Sequence, residues 1–150
     1  MNVYAYFSRL VMGALALAAA HAFAAAPRQR SGFAIIAELD RATADYRRCI
    51  DNSEGITSNM ADCDGAMSDV LNPLIERAYA AAATGLSPAR KRWLDASQKA
   101  WMASREPHCL SGLDHSGGYY GTLEMLMLEA CLIDSEEQRI RWLVRHIKRH

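Results

Sequence analysis

The residues whose chemistry the sequence constrains most are its four cysteines, Cys49, Cys63, Cys109 and Cys131. The N-terminal residues are typical of a secretory signal peptide. An even number of cysteines behind such a segment predicts disulfides in an oxidising compartment. A zinc site is not indicated, because the sequence has no CxxC pair and the histidines near Cys109 lack zinc-ligand spacing. We therefore expect disulfides, no bound metal and no cofactor.

No set of residues with catalytic spacing is present. Asp62 and Asp64 fall on different faces of a helix and cannot act as a carboxylate pair. His108 neighbours Cys109, but a sulfur that is half of a disulfide is not a nucleophile. Neither a Gly-x-Ser-x-Gly motif nor a phosphate-binding glycine loop occurs. The sequence therefore predicts a protein that is not an enzyme.

The residues best suited to binding a protein partner lie in a glycine-rich segment and in an acidic stretch. Residues 111–121 form the main irregular segment, and tyrosines in such a segment can fill clefts at low entropic cost. The alternative interpretation is a connector whose tyrosines cover the core. The acidic stretch follows Arg48 and would attract a cationic partner. The predicted partner-binding residues are His115, Tyr119, Tyr120, Asp62, Asp64 and Asp69.

Charged residues are segregated into blocks along the chain, although the formal net charge is zero. Six acids and no Lys or Arg lie between Arg48 and Arg77, and seven acids lie between Arg105 and Arg139. Two interpretations stay open: helices of opposite charge attract each other within the fold, or an acidic face meets a cationic partner. The basic run near the C-terminus is typical of a solvated helix end, so nucleic acid is not an expected partner.

One face of a predicted helix carries Leu94, Gln98, Trp101 and Arg105, at steps of four, three and four. A helix that presents a Trp, a Gln and an Arg side by side usually packs the Trp inside and gives the two polar residues internal partners. Gln98, Trp101 and Arg105 are therefore predicted to be structural.

Helical periodicity extends over the rest of the chain and predicts an all-α fold, a small disulfide-stapled bundle of four to five helices. Helix starts are expected near Phe33, at Thr57 as an N-cap, at Ser87-Pro88, near Thr122 and at the Ser135 capping box. Two prolines are expected to interrupt this pattern. Pro73 should kink or split the second helix, and Pro107 should end the third near Glu106.

Four cysteines allow three pairings, and the sequence does not choose among them. Our hypothesis is pairing in sequence order, Cys49 with Cys63 and Cys109 with Cys131. Each of these pairs flanks a single turn or loop between consecutive helices and would close a short ring.

The N-terminal residues are typical of a secretory signal peptide. An apolar run follows Arg9, and Ala22-Phe23-Ala24 fits the small-x-small cleavage rule, so we expect cleavage after Ala24. The run is short for a membrane-spanning helix. The expected organisation is a signal peptide over residues 1–24, a mobile tail over 25–32 and a helical domain over 33–150. We expect a periplasmic or secreted protein without a stable membrane anchor.

The chain resembles the lysozyme inhibitor LprI-like family of small exported helical proteins with four cysteines. The resemblance covers about residues 46–147 and is most specific in Gln98-x-x-Trp101-x-x-x-Arg105-x-x-x-Cys109. It also rests on Cys49, Thr57-x-x-Met60-x-x-Cys63, Leu71-Asn72, Gly117-Gly118, Cys131 and Arg139-x-x-x-Leu143. Three positions depart from the family pattern: Ile75 replaces Tyr, Glu106 replaces Asp, and Tyr119 replaces a small hydroxyl residue.

The resemblance implies an exported binding protein of the cell envelope that inhibits lysozyme. From the residues themselves, we expect it to dock its loop, residues 111–121, and its acidic surface on the enzyme. An inhibitor of a cationic enzyme gains association rate from an acidic surface. The alternative is an immunity-type or structural periplasmic module that binds another envelope protein. Both hypotheses describe a protein that binds a protein partner and has no enzymatic activity.

Overall fold

Four α-helices make up the computed structural model, which describes residues 27–113 and 121–147 of the chain. They are α1 (Pro27–Asn52), α2 (Thr57–Ala83), α3 (Pro88–Leu110) and α4 (Thr122–Ile147). Neither described range contains a strand, so the predicted all-α, disulfide-stapled class is confirmed. The predicted signal peptide lies outside these ranges, and its cleavage stays a prediction.

The helices run alternately up and down, and α2 packs most extensively against α4. Asp40 on α1 contacts Arg141 on α4, and Thr43 contacts Glu137, so α1 and α4 are antiparallel. The first turns of α2 and α4 line one groove, so these two helices point the same way. The α1–α2 turn and the α3–α4 connection therefore lie at the same end of the bundle.

Apolar stripes from all four helices meet in the core. Its largest fully buried side chains are Leu39, Leu71, Leu74, Leu94, Ile140, Leu143 and Ile147. Helical spacing places these residues on single faces, as it does for the neighbouring buried residues Ile35, Met67 and Ala78. Burial of each such aliphatic side chain contributes about 1.5–3 kcal/mol, so packing rather than helix propensity holds the helices.

The first helix begins at Pro27, earlier than the predicted start near Phe33. The segment expected to be a mobile tail is thus helical from Pro27 onward. Proline suits the first helical position, where its missing N–H is not needed. Gly32 then lies against α4, where a Cβ atom would stand 3.3 Å from Val144 Cγ1 and 3.6 Å from Ile147 Cδ1. The absence of a side chain at Gly32 lets the start of α1 pack closely on α4.

Neither internal proline ends a helix, so the predicted split at Pro73 and the predicted end of α3 near Glu106 are wrong. Pro73 lies within an unbroken α2, although an interior proline costs a helix about 3 kcal/mol. Leu71 and Leu74 are buried on either side of Pro73, and their packing holds the helix across it. Pro107 lies in the last turn of α3, which continues to Leu110.

The predicted break before Ser135 is also absent, because α4 runs unbroken through it, so the bundle has four helices within the described residues. Ile133 and Ile140 are both buried, and a break between them would expose core. Helix starts elsewhere follow the sequence more closely. Ser87 caps α3, with Pro88 as its first residue, whereas Ile56, not Thr57, occupies the cap position of α2 without a side-chain bond.

Two disulfides close the end of the bundle that carries the α1–α2 turn and the α3–α4 connection. Cys49 pairs with Cys63, and Cys109 pairs with Cys131, which is the sequence-order pairing of our hypothesis. The first bridge joins the end of α1 to the start of α2. The second joins the end of α3 to the first half of α4. Each bridge therefore ties two consecutive helices together beside their connection.

Candidate partner-binding site

A groove of about 490 Å³ lies between α2 and α4 at the disulfide-bonded end of the bundle. Small residues on α2 keep it open, namely Ala61, Gly65 and Ser68. A Cβ atom on Gly65 would have no neighbour within 4 Å. Met125 and Leu126 on α4 form the apolar wall. We call this feature the acidic groove, because of the charges described next.

Every charged residue that lines the acidic groove is an acid. Asp69 projects from α2 and Glu129 from α4, and neither has an ion-pair partner among the described residues. Asp62 is exposed on the same part of α2. The two base-free stretches of the sequence meet here because α2 and α4 point the same way. Their negative potentials add, and this end of the bundle suits a cationic partner.

Asp64 differs from the other two predicted acids, because its side chain is buried. Tyr46 Oη donates a hydrogen bond to Asp64 Oδ1 at 2.7 Å. Burial raises the pKa of Asp64, and the Tyr46 bond partly opposes this by stabilising the carboxylate. Burial, together with the Asp64 bond and charge, raises the pKa of Tyr46. The pair joins α1 to α2, so Asp64 acts in the structure rather than as an exposed contact.

The other predicted binding residues, His115, Tyr119 and Tyr120, lie outside the described residues. The chain resumes at Gly121, and the next residue, Thr122, lines the acidic groove. Large apolar side chains are exposed on the first turns of α4 that follow, at Leu123, Met125 and Met127. Exposed apolar residues beside unpaired charges are typical of a protein-binding surface.

Gln98, Trp101 and Arg105 all contact α4, in a cluster that we call the polar seam. It consists of Ser97, Gln98, Trp101 and Arg105 on α3, with Ser135, Glu136 and Arg139 on α4. Trp101 Nε1 donates to Ser135 Oγ at 3.1 Å, and Arg139 Nε donates to Gln98 Oε1 at 2.9 Å. The three residues predicted to be structural thus have partners inside the fold.

An ion pair between Arg105 and Glu136 closes one end of the polar seam. The Glu136 side chain is only 8% exposed. Burial raises the pKa of Glu136, while the charge and hydrogen bond of Arg105 act in the opposite direction. The guanidinium of Arg105 also lies 5.2 Å from the centre of the Trp101 ring. The seam is therefore a packed polar contact that depends on Arg105 to neutralise a buried carboxylate.

Sequence reasoning missed the α4 half of the polar seam. Ser135 and Glu136 belong to a capping-box pattern, which predicts the start of a helix rather than a position inside one. The available signal was their spacing with Arg139, because Ser135 and Glu136 precede it by four and three positions, and such positions share a helix face. Which partner that face meets depends on the antiparallel packing of α3 on α4.

Within residues 27–113 and 121–147, no helix is both long and apolar enough to cross a membrane. Within the same ranges, no three His, Cys, Asp or Glu residues are grouped so that they could hold a metal ion.

The family model described as lysozyme inhibitor LprI matches residues 49–143 of the chain. The matched region contains the four cysteines, all of α2 and α3 and most of α4. No curated protein and no solved structure matches the chain.

Proposed function

Since the chain belongs to the lysozyme inhibitor LprI family, we propose that it is an exported, non-enzymatic protein that inhibits a lysozyme by docking its acidic groove on the enzyme. Two disulfides fit a protein of an oxidising compartment, and the signal peptide expected from the sequence would deliver it there. The observation that supports this docking mode most directly is a groove lined by unpaired acids beside exposed methionines.

The charge of the groove supplies both attraction and specificity for a basic enzyme. Among the described residues, Asp69 and Glu129 have no ion-pair partner, so pairing with a cationic enzyme breaks no ion pair within this part of the chain. Opposite charges steer the two proteins together and mainly raise the association rate. The apolar wall, at Met125 and Leu126, then supplies surface that becomes buried at the contact.

The first experiment measures inhibition of lysozyme by the purified protein and by two matched variants. Asp69→Asn removes a groove charge and should weaken inhibition roughly threefold. Glu76→Gln removes an exposed charge from the same helix, outside the groove, and should leave inhibition within error. No inhibition by the parent protein, or equal loss in both variants, contradicts the proposal.

A second experiment fills the acidic groove without changing its charge. Gly65→Leu places a side chain in open space, so the variant should fold, while the leucine occupies the groove. We expect its melting temperature to match or exceed that of the parent, and inhibition to be lost. Gly65→Ala is the control, because one methyl group leaves most of the groove open. Full inhibition by Gly65→Leu would exclude the groove as the docking site.

The segment predicted from the sequence is part of the same proposal. His115, Tyr119 and Tyr120 lie just before Thr122 in the sequence, and Thr122 lines the acidic groove. We expect the double variant Tyr119→Ala, Tyr120→Ala to melt like the parent and to inhibit less. A variant that inhibits as well as the parent would limit the docking surface to α2 and α4.

A further inference from the structure

A second pocket, of about 340 Å³, lies on α4 further along the helix than the acidic groove. The groove ends at Glu129, and the pocket is centred near Arg139, about 15 Å away at 1.5 Å per helical residue. Trp101 of α3 and Trp142 of α4 supply its aromatic walls. Of the described residues that line it, three are arginines and none is an acid, so its charge is opposite to that of the groove.

Arg139 carries a buried charge that has no carboxylate partner among the described residues. The residue is 7% exposed, and its guanidinium hydrogen bonds go to neutral groups, Gln98 Oε1 and Ser97 Oγ. Nη1 and Nη2 share the Ser97 oxygen, so each of these nitrogens keeps one N–H with no protein acceptor in the described chain. Binding of an anion would stabilise a buried cation whose N–H groups lack acceptors.

The aromatic walls are held in place by side chains of both α3 and α4. The Arg139 guanidinium lies 4.1 Å from the centre of the Trp142 ring and 5.7 Å from that of Trp101. Trp93 and His146 also lie against Trp142, with ring centres 5.8 Å and 3.8 Å from it. The two indoles therefore need little ordering when a ligand binds, which lowers the entropic cost.

A second arginine of the pocket is free to contact a ligand. Arg145 is exposed and has no ion pair with any described residue, whereas Arg141 is paired with Asp40. Gln138, on the same face of α4, donates one amide N–H to Asp134 and keeps its second N–H and its oxygen for a hydroxyl group. The pocket thus combines aromatic faces, two available cations and a neutral hydrogen-bonding group.

We propose that this pocket binds a carboxylated saccharide. The apolar part of a pyranose ring fits against the parts of the two indoles that line the pocket. Hydroxyl groups fit an amide, and a carboxylate fits the guanidinium groups of Arg139 and Arg145. A simple inorganic anion would use the arginines but would not cover the apolar surface that the two indoles present to the pocket. The proposal is independent of lysozyme inhibition, because the acidic groove and the pocket share no residue.

The test is a titration of the full chain with N-acetylmuramic acid, followed by tryptophan fluorescence and by calorimetry. N-acetylglucosamine is the matched probe, since it has the same ring without the lactyl carboxylate. Two of the three tryptophans line the pocket, so a bound sugar should change their emission. We expect saturable binding of N-acetylmuramic acid, at least tenfold tighter than that of N-acetylglucosamine.

Matched variants connect this binding to the pocket. Arg145→Gln should weaken binding of N-acetylmuramic acid about tenfold without changing the melting temperature, because the side chain is exposed. Arg92→Gln makes the same change on the exposed surface of α3, outside the pocket, and should bind as the parent does. Asp69→Asn, altered in the acidic groove, should also keep the parent affinity.

Three results would overturn the proposal. One is the absence of saturable binding of N-acetylmuramic acid to the parent. Another is an affinity for inorganic phosphate equal to that for N-acetylmuramic acid, which would reduce the pocket to an anion site. The third is unchanged affinity in Arg145→Gln. Loss of lysozyme inhibition with intact sugar binding would contradict only the proposed function, and the reverse result only this inference.

Discussion

Trp101 links α3 to α4 through its ring and its N–H group. The ring lies between the guanidinium groups of Arg105 and Arg139, and the N–H group bonds Ser135. We expect Trp101→Ala to lower the free energy of unfolding by about 3 kcal/mol, through lost packing and a lost hydrogen bond. Trp101→Phe keeps most of the packing and should cost about 1 kcal/mol. Urea melts measure both, and parent-like melting of the alanine variant would show that the ring is not structural.

Arg105 neutralises the buried carboxylate of Glu136, so its removal should be costly. We expect Arg105→Ala to lose about 3 kcal/mol of stability at neutral pH, because Glu136 is left charged without a partner. Removing Arg105 also raises the pKa of Glu136 further, so the loss should shrink in acid, where the carboxyl is protonated. The double variant Arg105→Ala, Glu136→Gln should recover stability. Equal loss in the single and double variants would contradict this account.

The buried carboxyl of Asp64 makes stability depend on pH. Because burial raises its pKa in the folded protein, folding favours the protonated form. That contribution is fully present below the unfolded pKa of about 3.9 and is lost as the pH rises through the folded pKa. Asp64→Asn keeps an acceptor for Tyr46 without the charge. Its melting temperature relative to the parent should rise with pH through this range and then level off.

The control for this measurement is Asp62→Asn, which alters an exposed acid on the same helix. We expect its melting temperature to follow that of the parent across the same range of pH. A constant difference between the Asp64→Asn variant and the parent would mean that the Asp64 carboxyl is not responsible for the dependence.

Two glycines in helices should respond differently to substitution by alanine. Gly65 in α2 faces open space, so Gly65→Ala should stabilise the protein by about 0.5–1 kcal/mol, because alanine is the better helix former. A Cβ atom added to Gly32 in α1 would lie 3.3 Å from Val144 Cγ1. There the same gain is offset by a forced shift of α1 away from α4. Thermal melts compare the two, and equal stabilisation would contradict the close packing of α1.

The two disulfides act on helix ends that the core holds less firmly. Both rings are short, with Cys49 and Cys63 separated by 14 positions in the sequence, and Cys109 and Cys131 by 22. Each bridge of this size stabilises a protein by roughly 2–4 kcal/mol, mainly by restricting the unfolded chain. Their placement at the groove end keeps the first turns of α2 and the first half of α4 in position where a partner would dock.

Acids line the groove between α2 and α4, and arginines line the pocket further along α4, although the formal net charge of the chain is zero. This separation predicts that lysozyme inhibition weakens as salt concentration rises, because salt screens the attraction between exposed charges. Inhibition constants measured from about 0.05 to 0.5 M NaCl, a range over which the Debye length falls severalfold, test this. Asp69→Asn should show a smaller dependence on salt than the parent. Inhibition that does not change with salt would exclude electrostatic steering by the groove.

The sequence by itself determined the properties that depend on neighbouring residues and on covalent chemistry. Periodicity of three to four residues predicts the helices and most of the core, because one side of each helix must leave water. The Gln98, Trp101, Arg105 and Cys109 spacing indicated both the family and the helix at its centre. The sequence could not settle whether a proline breaks a helix, since that depends on whether buried residues on both sides of it, such as Leu71 and Leu74, hold the helix.

Only the tertiary structure decided which distant residues meet. Two acidic blocks became one groove because α2 and α4 point the same way, and no local pattern encodes relative helix direction. Asp64 and Asp69 look alike in the sequence, yet Tyr46 of another helix buries one and leaves the other exposed. Arg139 likewise acquires Ser97 and Gln98 as neighbours from a helix about 40 residues away in the sequence. Burial and pairing of this kind arise from helix packing, which brings together side chains that are far apart along the chain.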